Sequence, residues 1–161
     1  VSAVVRPVID TLQTMPLFVI LIPFVMVFKI GEFTALLAII AYSIVPAIRY
    51  AEHGLRNLPK DTLEAATAIG ATRRQLLFQV KLPLAIPSIM LGLNQTIMYG
   101  LAMLVIAALV GTQGLGQKIY LALTLADVGR GMITGISMAL LAMVADRILQ
   151  AYSRKQQEAI A

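Results

Sequence analysis

Between Leu82 and Gln117 the chain carries no charged side chain, and no other feature limits its fold so strongly. A helix needs ~20 apolar residues to cross ~30 Å of hydrocarbon. This stretch supplies that in one piece, with a spanning run expected at 84–110. Three more apolar runs have similar length: 12–30, interrupted by Pro16 and Pro23; 33–51, with Pro46 near its end; and 132–149. A segment surrounded by lipid must satisfy its own backbone hydrogen bonds, so helix is the reading for each, and neighbouring helices absorb carbonyls freed by proline. The expectation is a single all-α transmembrane domain over 1–161. Composition agrees: 59% of residues are hydrophobic and 13% charged, against about half and a quarter in soluble domains. The mean hydropathy is +0.85.

The same composition removes several kinds of chemistry. There is no cysteine and one histidine, His53, so thiolate zinc sites, disulfides, a cysteine nucleophile and multi-histidine metal centres are excluded. No Asp/His cluster or Ser-Lys pair in the spanning runs suggests a membrane-embedded enzyme, and no Gly-rich Lys-Ser/Thr loop is present to hold nucleotide phosphates. The net charge of +5 is not gathered into a stripe beside aromatics, so no nucleic-acid partner is expected. The chain opens on Val1 without a cleavable signal pattern, and is read as a piece lacking N-terminal residues.

The charge instead reports topology. Ten of the thirteen Lys and Arg residues fall on one side under strict alternation of the runs: Arg6, Arg49, Arg56, Lys60, Arg73, Arg74, Lys81, Arg147, Arg154 and Lys155. Lys29, Lys118 and Arg130 fall on the other. The positive-inside rule places both termini and the loop 52–81 in the cytoplasm, and the glycine-rich segment 111–131 outside as a turn with a short interfacial or re-entrant helix.

The loop 52–81 has the local signals of ordered structure. Asp61 with Glu64 three residues on fits a capping box. Leu63 to Ile69 is helical and small-sided, and Gly70 suits a C-terminal cap. Thr72 with Gln75 fits a second capping box, and that helix is expected to stop at Leu82-Pro83. A small-sided helix beside Arg73 and Arg74 suits the cleft of a partner protein. On local physics alone, it equally suits an amphipathic helix on anionic headgroups.

A family resemblance shifts the balance toward the partner's cleft. Glu64-Ala65-Ala66, three residues, Gly70, nine residues, Val80, one residue, Leu82-Pro83 resembles the EAA loop of ABC importer permeases, with Val80 in place of the usual Ile. The segments Asp10 to Pro16, Gly92 to Met98 and Gly114 to Gln117 resemble permeases for glycine betaine, proline or choline, and the likeness runs from Arg6 to Arg147. It implies a type I, methionine-importer-like helical bundle in the bacterial inner membrane, with a cytoplasmic coupling helix. It also implies a pore-forming subunit rather than an enzyme. Its partners would be an ATP-binding cassette subunit carrying the ATP and Mg, an external or periplasmic substrate-binding protein, and a second permease copy. No cofactor would be bound by this chain itself. Glu64, Ala65, Ala66, Gly70, Arg73, Arg74, Leu82 and Pro83 would couple to the ATPase. The expected cargo is a small osmolyte such as glycine betaine, choline or a proline-like amine. Alternatives are trimethylamine N-oxide, an amino acid, or a membrane scaffold that transports nothing.

For the path itself, Asn94, Gln95 and Thr96 are polar groups in an apolar span, which should face the bundle or a wet cavity. Met98 and Tyr99 follow, and an aromatic face attracts a quaternary ammonium. Asn and Gln also serve simply as interhelical hydrogen-bond partners. Gln113 and Gln117 sit among glycines, suiting either an outer gate or a plain turn. Asp146-Arg147 reads as an interfacial ion pair and His53 as a loop residue.

Overall fold

The computed structural model describes residues 7, 9–11 and 14–158, with side chains through 154. Arg6 and Leu12 lie outside the described residues, as does the Lys155 side chain. Among those described, the regular secondary structure is all helical. The first helix, α1, spans Leu17–Phe28. It is narrower than the run expected at 12–30. Pro16 holds an extended ψ of 144° and begins the helix, while Lys29 at φ 65° ends it. A proline pushes the residue before it out of the helical region, so Met15 breaks the chain. Twelve residues reach only ~18 Å, short of the hydrocarbon thickness.

α2 spans Glu32–Arg56, with Pro46 inside it. It runs five residues past the expected end of its apolar run, and the extension is braced by a Glu52–Arg56 ion pair of 3.1 Å. α3 (Lys60–Ala68) and α4 (Arg73–Gln75) form the bent element, and a π-helical segment, Leu76–Lys81, follows. α5 is Leu82–Ala107, closed by a 3-10 turn at Ala108–Val110. Gly111 and Gly114 then adopt φ of +87° and +104°, where a Cβ would be strained, and α6 (Leu115–Thr124) follows. α7 runs from Val128 to Glu158. Among the described residues, three helical stretches are long and apolar enough to cross a membrane: Glu32–Arg56, Arg73–Val110 and Val128–Arg154.

The expected stop at Leu82-Pro83 is absent. Helix continues from Arg73 to Val110, and Leu82 donates its amide to the Leu77 carbonyl, five residues back. Proline interrupts a helix because its ring meets the carbonyl four residues earlier and its nitrogen has no proton. A π turn moves the carbonyls out of that register, one of the local adjustments by which spanning helices accommodate proline. The extra residue is absorbed before Pro83, and the helix goes on.

The chain forms two compact units, Val1–Val45 with Thr96–Ala145, and Pro46–Gln95 with Asp146–Ala161. In the first, Leu21, Ala35, Ala38, Met103, Ala107 and Val110 make a buried core. Ala35 with Ala38, and Met103 with Ala107, are three and four residues apart, so each pair shares one helix face. α6 lies against α5 at Gly116, where an added Cβ would come 2.4 Å from the Leu104 carbonyl oxygen. In the second unit, α2 and α5 cross with equal closeness. A Cβ on Gly54 would come 2.6 Å from the Ser88 Cβ, and one on Gly92 2.8 Å from the Tyr50 Cβ. Small residues at such crossings let backbones approach and gain dispersion contacts, the main attraction available between helices in lipid.

Candidate functional site

The bent element is built from caps rather than from a core. α3 begins after Pro59, whose side chain offers no acceptor, and Asp61 falls within the first turn without capping it. The expected Asp61–Glu64 capping box is therefore replaced by a proline start two residues earlier. Asp61 still opposes the helix dipole there. At the other end, Gly70 takes φ +83° and donates its amide to the Thr67 carbonyl, while Ala71 donates to Ala66 at 3.1 Å. Those two bonds constitute a Schellman motif. Thr72 then caps the next turn. Its amide donates to Gln75 Oε1 at 2.9 Å and its Oγ1 accepts from the Gln75 amide at 3.4 Å.

Two well-capped ends meet within three residues, fixing the angle of the bend. Ala66 is buried, while Glu64, Ala65, Ala68, Arg73 and Arg74 are exposed. Three large apolar side chains in the same element are also uncovered: Ile69 at 86%, Leu77 at 42% and Phe78 at 57% exposure. An open hollow of about 480 Å³ runs beside Thr72, Arg74, Gln75, Phe78 and Gln79. Leu82 is exposed and Pro83 half-buried where the element enters α5. The arrangement is a doubly capped bend that exposes apolar and cationic side chains and is continuous in backbone with an apolar helix.

The polar candidates divide between the two units. In the second, Asn94 Nδ2 donates to Asp146 Oδ1 at 2.8 Å, and Gln150 Nε2 donates to Asp146 Oδ2 at 2.8 Å. Asp146 thus binds Asn94 and Gln150 rather than Arg147. Successive residues on a helix point about 100° apart, so adjacent charges do not face each other. Gln95 is half-buried. In the first unit, Tyr99 is half-buried and its ring stacks on Tyr42, centroids 5.3 Å apart. Met98 is half-buried beside it in sequence, and Gln113 is exposed on the turn between Gly111 and Gly114. His53 lies in the last turn of α2, its ring 2.9 Å from the Asn57 side-chain amide. Tyr42, Tyr50 and Ser88 went unremarked in the sequence. For Ser88 and Tyr50 the available signals were Gly54 and Gly92, because a glycine inside a spanning helix often marks a close crossing. Among the described residues, no group of His, Cys, Asp and Glu could hold a metal ion.

A profile of the binding-protein-dependent transport system inner membrane component family matches residues 1–158. The chain belongs to that family. It is 41% identical over 153 residues to the glycine betaine/proline betaine transport system permease protein of Escherichia coli K12, covering 95% of this chain and 43% of that protein. It is 43% identical over 150 residues to the glycine betaine transport system permease protein of Bacillus subtilis 168, covering 93% and 53%. It is also 42% identical over 144 residues to a trimethylamine N-oxide transport system permease protein of Ruegeria pomeroyi, covering 89% and 22%. The chain spans about half the length of the first two relatives. A structure of the MetNI methionine ABC transporter in an inward-facing conformation superposes with a TM-score of 0.83 at 22% identity, covering 96% of this chain and 74% of that one. The fold is therefore that of a type I importer permease, all-helical and multi-pass.

Proposed function

We propose that this chain is the membrane-spanning part of an ATP-driven importer for a small zwitterion or quaternary amine, with glycine betaine the first candidate. The observation that carries the reading is the doubly capped bend from Lys60 to Lys81, which bears the Glu64-Ala65-Ala66…Gly70 pattern and continues as helix into α5. A partner that closes on hydrolysing ATP pulls this knob, and a stiff bend transmits the pull where a flexible loop would dissipate it. ATP and Mg are bound on that partner subunit, no cofactor sits on this chain, and two permease copies, read as a homodimer, enclose one path. The bend and the C-terminal end of α7 lie on the cytoplasmic side. An external binding protein delivers the solute, and packed helical bodies rock between inward and outward access.

Glu64, Ala65, Ala66, Gly70, Arg73, Arg74, Leu82 and Pro83 form the coupling surface in this reading. Asn94, Gln95, Met98, Tyr99 and Gln113 line or flank the path. The permease names of the Escherichia coli and Bacillus subtilis relatives support betaine. The Ruegeria relative, equally similar over most of the chain, favours trimethylamine N-oxide as a second reading. The deciding experiment is uptake of labelled glycine betaine, choline, proline and trimethylamine N-oxide by the reconstituted complex with its ATPase and binding protein. ATP-dependent betaine uptake is expected. Accumulation of none of the four would overturn the assignment.

A further inference from the structure

We propose that the trough between α6 and the start of α7 binds one anionic phospholipid, with its phosphate between Lys118 and Arg130 and an acyl chain along Leu121, Leu125 and Ile133. The trough has a volume of about 310 Å³ and is lined by those residues together with Ala122 and Thr134. Its floor is made by small groups. Ala122 is buried, and a Cβ on Gly131 would sit 3.8 Å from the Ala122 Cβ, so the two helices approach closely beneath it. The apolar rim is uncovered: Leu121 is 46%, Leu125 67% and Ile133 68% exposed. The Thr134 hydroxyl is already donated to the Arg130 carbonyl at 2.7 Å, leaving charge as the polar feature of the site.

That charge suits a phosphodiester. Arg130 Nε lies 3.2 Å from Asp127 Oδ2, yet the Arg130 side chain remains 76% exposed. Lys118 is also exposed. Lys118, Arg130 and Asp127 together carry one net positive charge, which one phosphodiester balances and a zwitterionic headgroup does not. Both cations have long apolar stems that can lie on the trough while their heads reach headgroup level. The apolar rim continues along α7 through Met132 and Ile136, exposed by 61% and 55%. Only 6% of the apolar part of that helix is buried by the rest of the chain. A ligand in this trough therefore has its polar end between two cations and its tail against a spanning helix, the chemistry of a phospholipid rather than of a free anion.

The test is lipid retention by the intact, delipidated permease complex, read by native mass spectrometry. It is incubated with phosphatidylglycerol or phosphatidylcholine of identical acyl chains, with and without inorganic phosphate. Phosphatidylglycerol should be retained preferentially, and Lys118→Gln and Arg130→Gln should each reduce that retention about fivefold. The Lys118→Arg, Arg130→Lys double variant should keep it, which separates loss of charge from misfolding. Inorganic phosphate should not displace the lipid. Equal retention of the two lipids, displacement by phosphate, or Gln variants that lose binding-protein association while keeping phosphatidylglycerol would each overturn the proposal.

Discussion

Asn94 on α5 donates its side-chain amide to the Asp146 carboxylate on α7 across 2.8 Å, joining two helices whose apolar stretches leave little else that is polar to pair. Gln150 holds the other carboxylate oxygen, while Asn94 Oδ1 is buried with no partner. Such bonds in membranes contribute ~0.6 kcal/mol on average and at most ~2. Asp146→Leu should therefore lower stability against denaturing detergent by about 1 kcal/mol. Asp146→Asn keeps an acceptor and should stay within about 0.5 kcal/mol of the parent. If the Asn variant is as unstable as the Leu variant, the charge and not the hydrogen bond holds the pair.

Gly54 and Ser88 define a second crossing, where an added Cβ would lie 2.6 Å from the Ser88 Cβ and 3.1 Å from its Oγ. Overpacking of this kind costs ~1–3 kcal/mol. Gly54→Ala should destabilise by that amount, and Ser88→Gly in the same chain should recover most of it, because both clashing atoms leave together. Thermal unfolding of the four members of the double-mutant cycle gives the coupling directly. Additive losses would mean that the helices had already moved apart.

These two contacts also mark what was legible in the sequence. Helix was readable in the last three apolar runs because lipid leaves the backbone no alternative, whereas the first run was overread, since Pro16 and Lys29 confine its helix to Leu17–Phe28. The bend was readable because Gly70, Thr72 and Gln75 each satisfy a particular backbone group. The partner of Asp146 was not, since it lies 52 residues away and nothing local points to it. Asp61 was misread as a cap because Pro59 starts the helix two residues sooner. Pro83 was misread as a stop because the rule for prolines describes an α register, and the chain adopts a π register just before it.

Gly70 has nothing within 4 Å of an added Cβ, yet its φ is +83°. Substitution there is opposed by backbone conformation and not by crowding. A side chain in the left-handed region costs ~1–2 kcal/mol, less for Asn and more for a β-branched residue. Gly70→Val should loosen the Schellman motif, raising hydrogen exchange at the Gly70 and Ala71 amides and reducing co-purification of the ATP-binding subunit. Gly70→Asn should leave both nearly unchanged. Equal ATPase capture by the Val variant would show that the bend need not be stiff.

The π segment ahead of Pro83 supplies a sharper test of the lever. If Pro83 imposes that register, Pro83→Ala removes the ring that an α-helical carbonyl would meet and restores a donor at residue 83. The helix can then close with one residue fewer in the turn, rotating Arg73 and Arg74 about 100° relative to α5. Stability should hold or rise, because a proline is removed from a helix interior. Coupling should fall, with ATP hydrolysis by the complex continuing while uptake drops severalfold. Paired measurement of hydrolysis and uptake in the same vesicles checks this. A Pro83→Ala complex that transports with the parent ratio of solute to ATP would show that the register of Leu76–Lys81 carries no mechanical information.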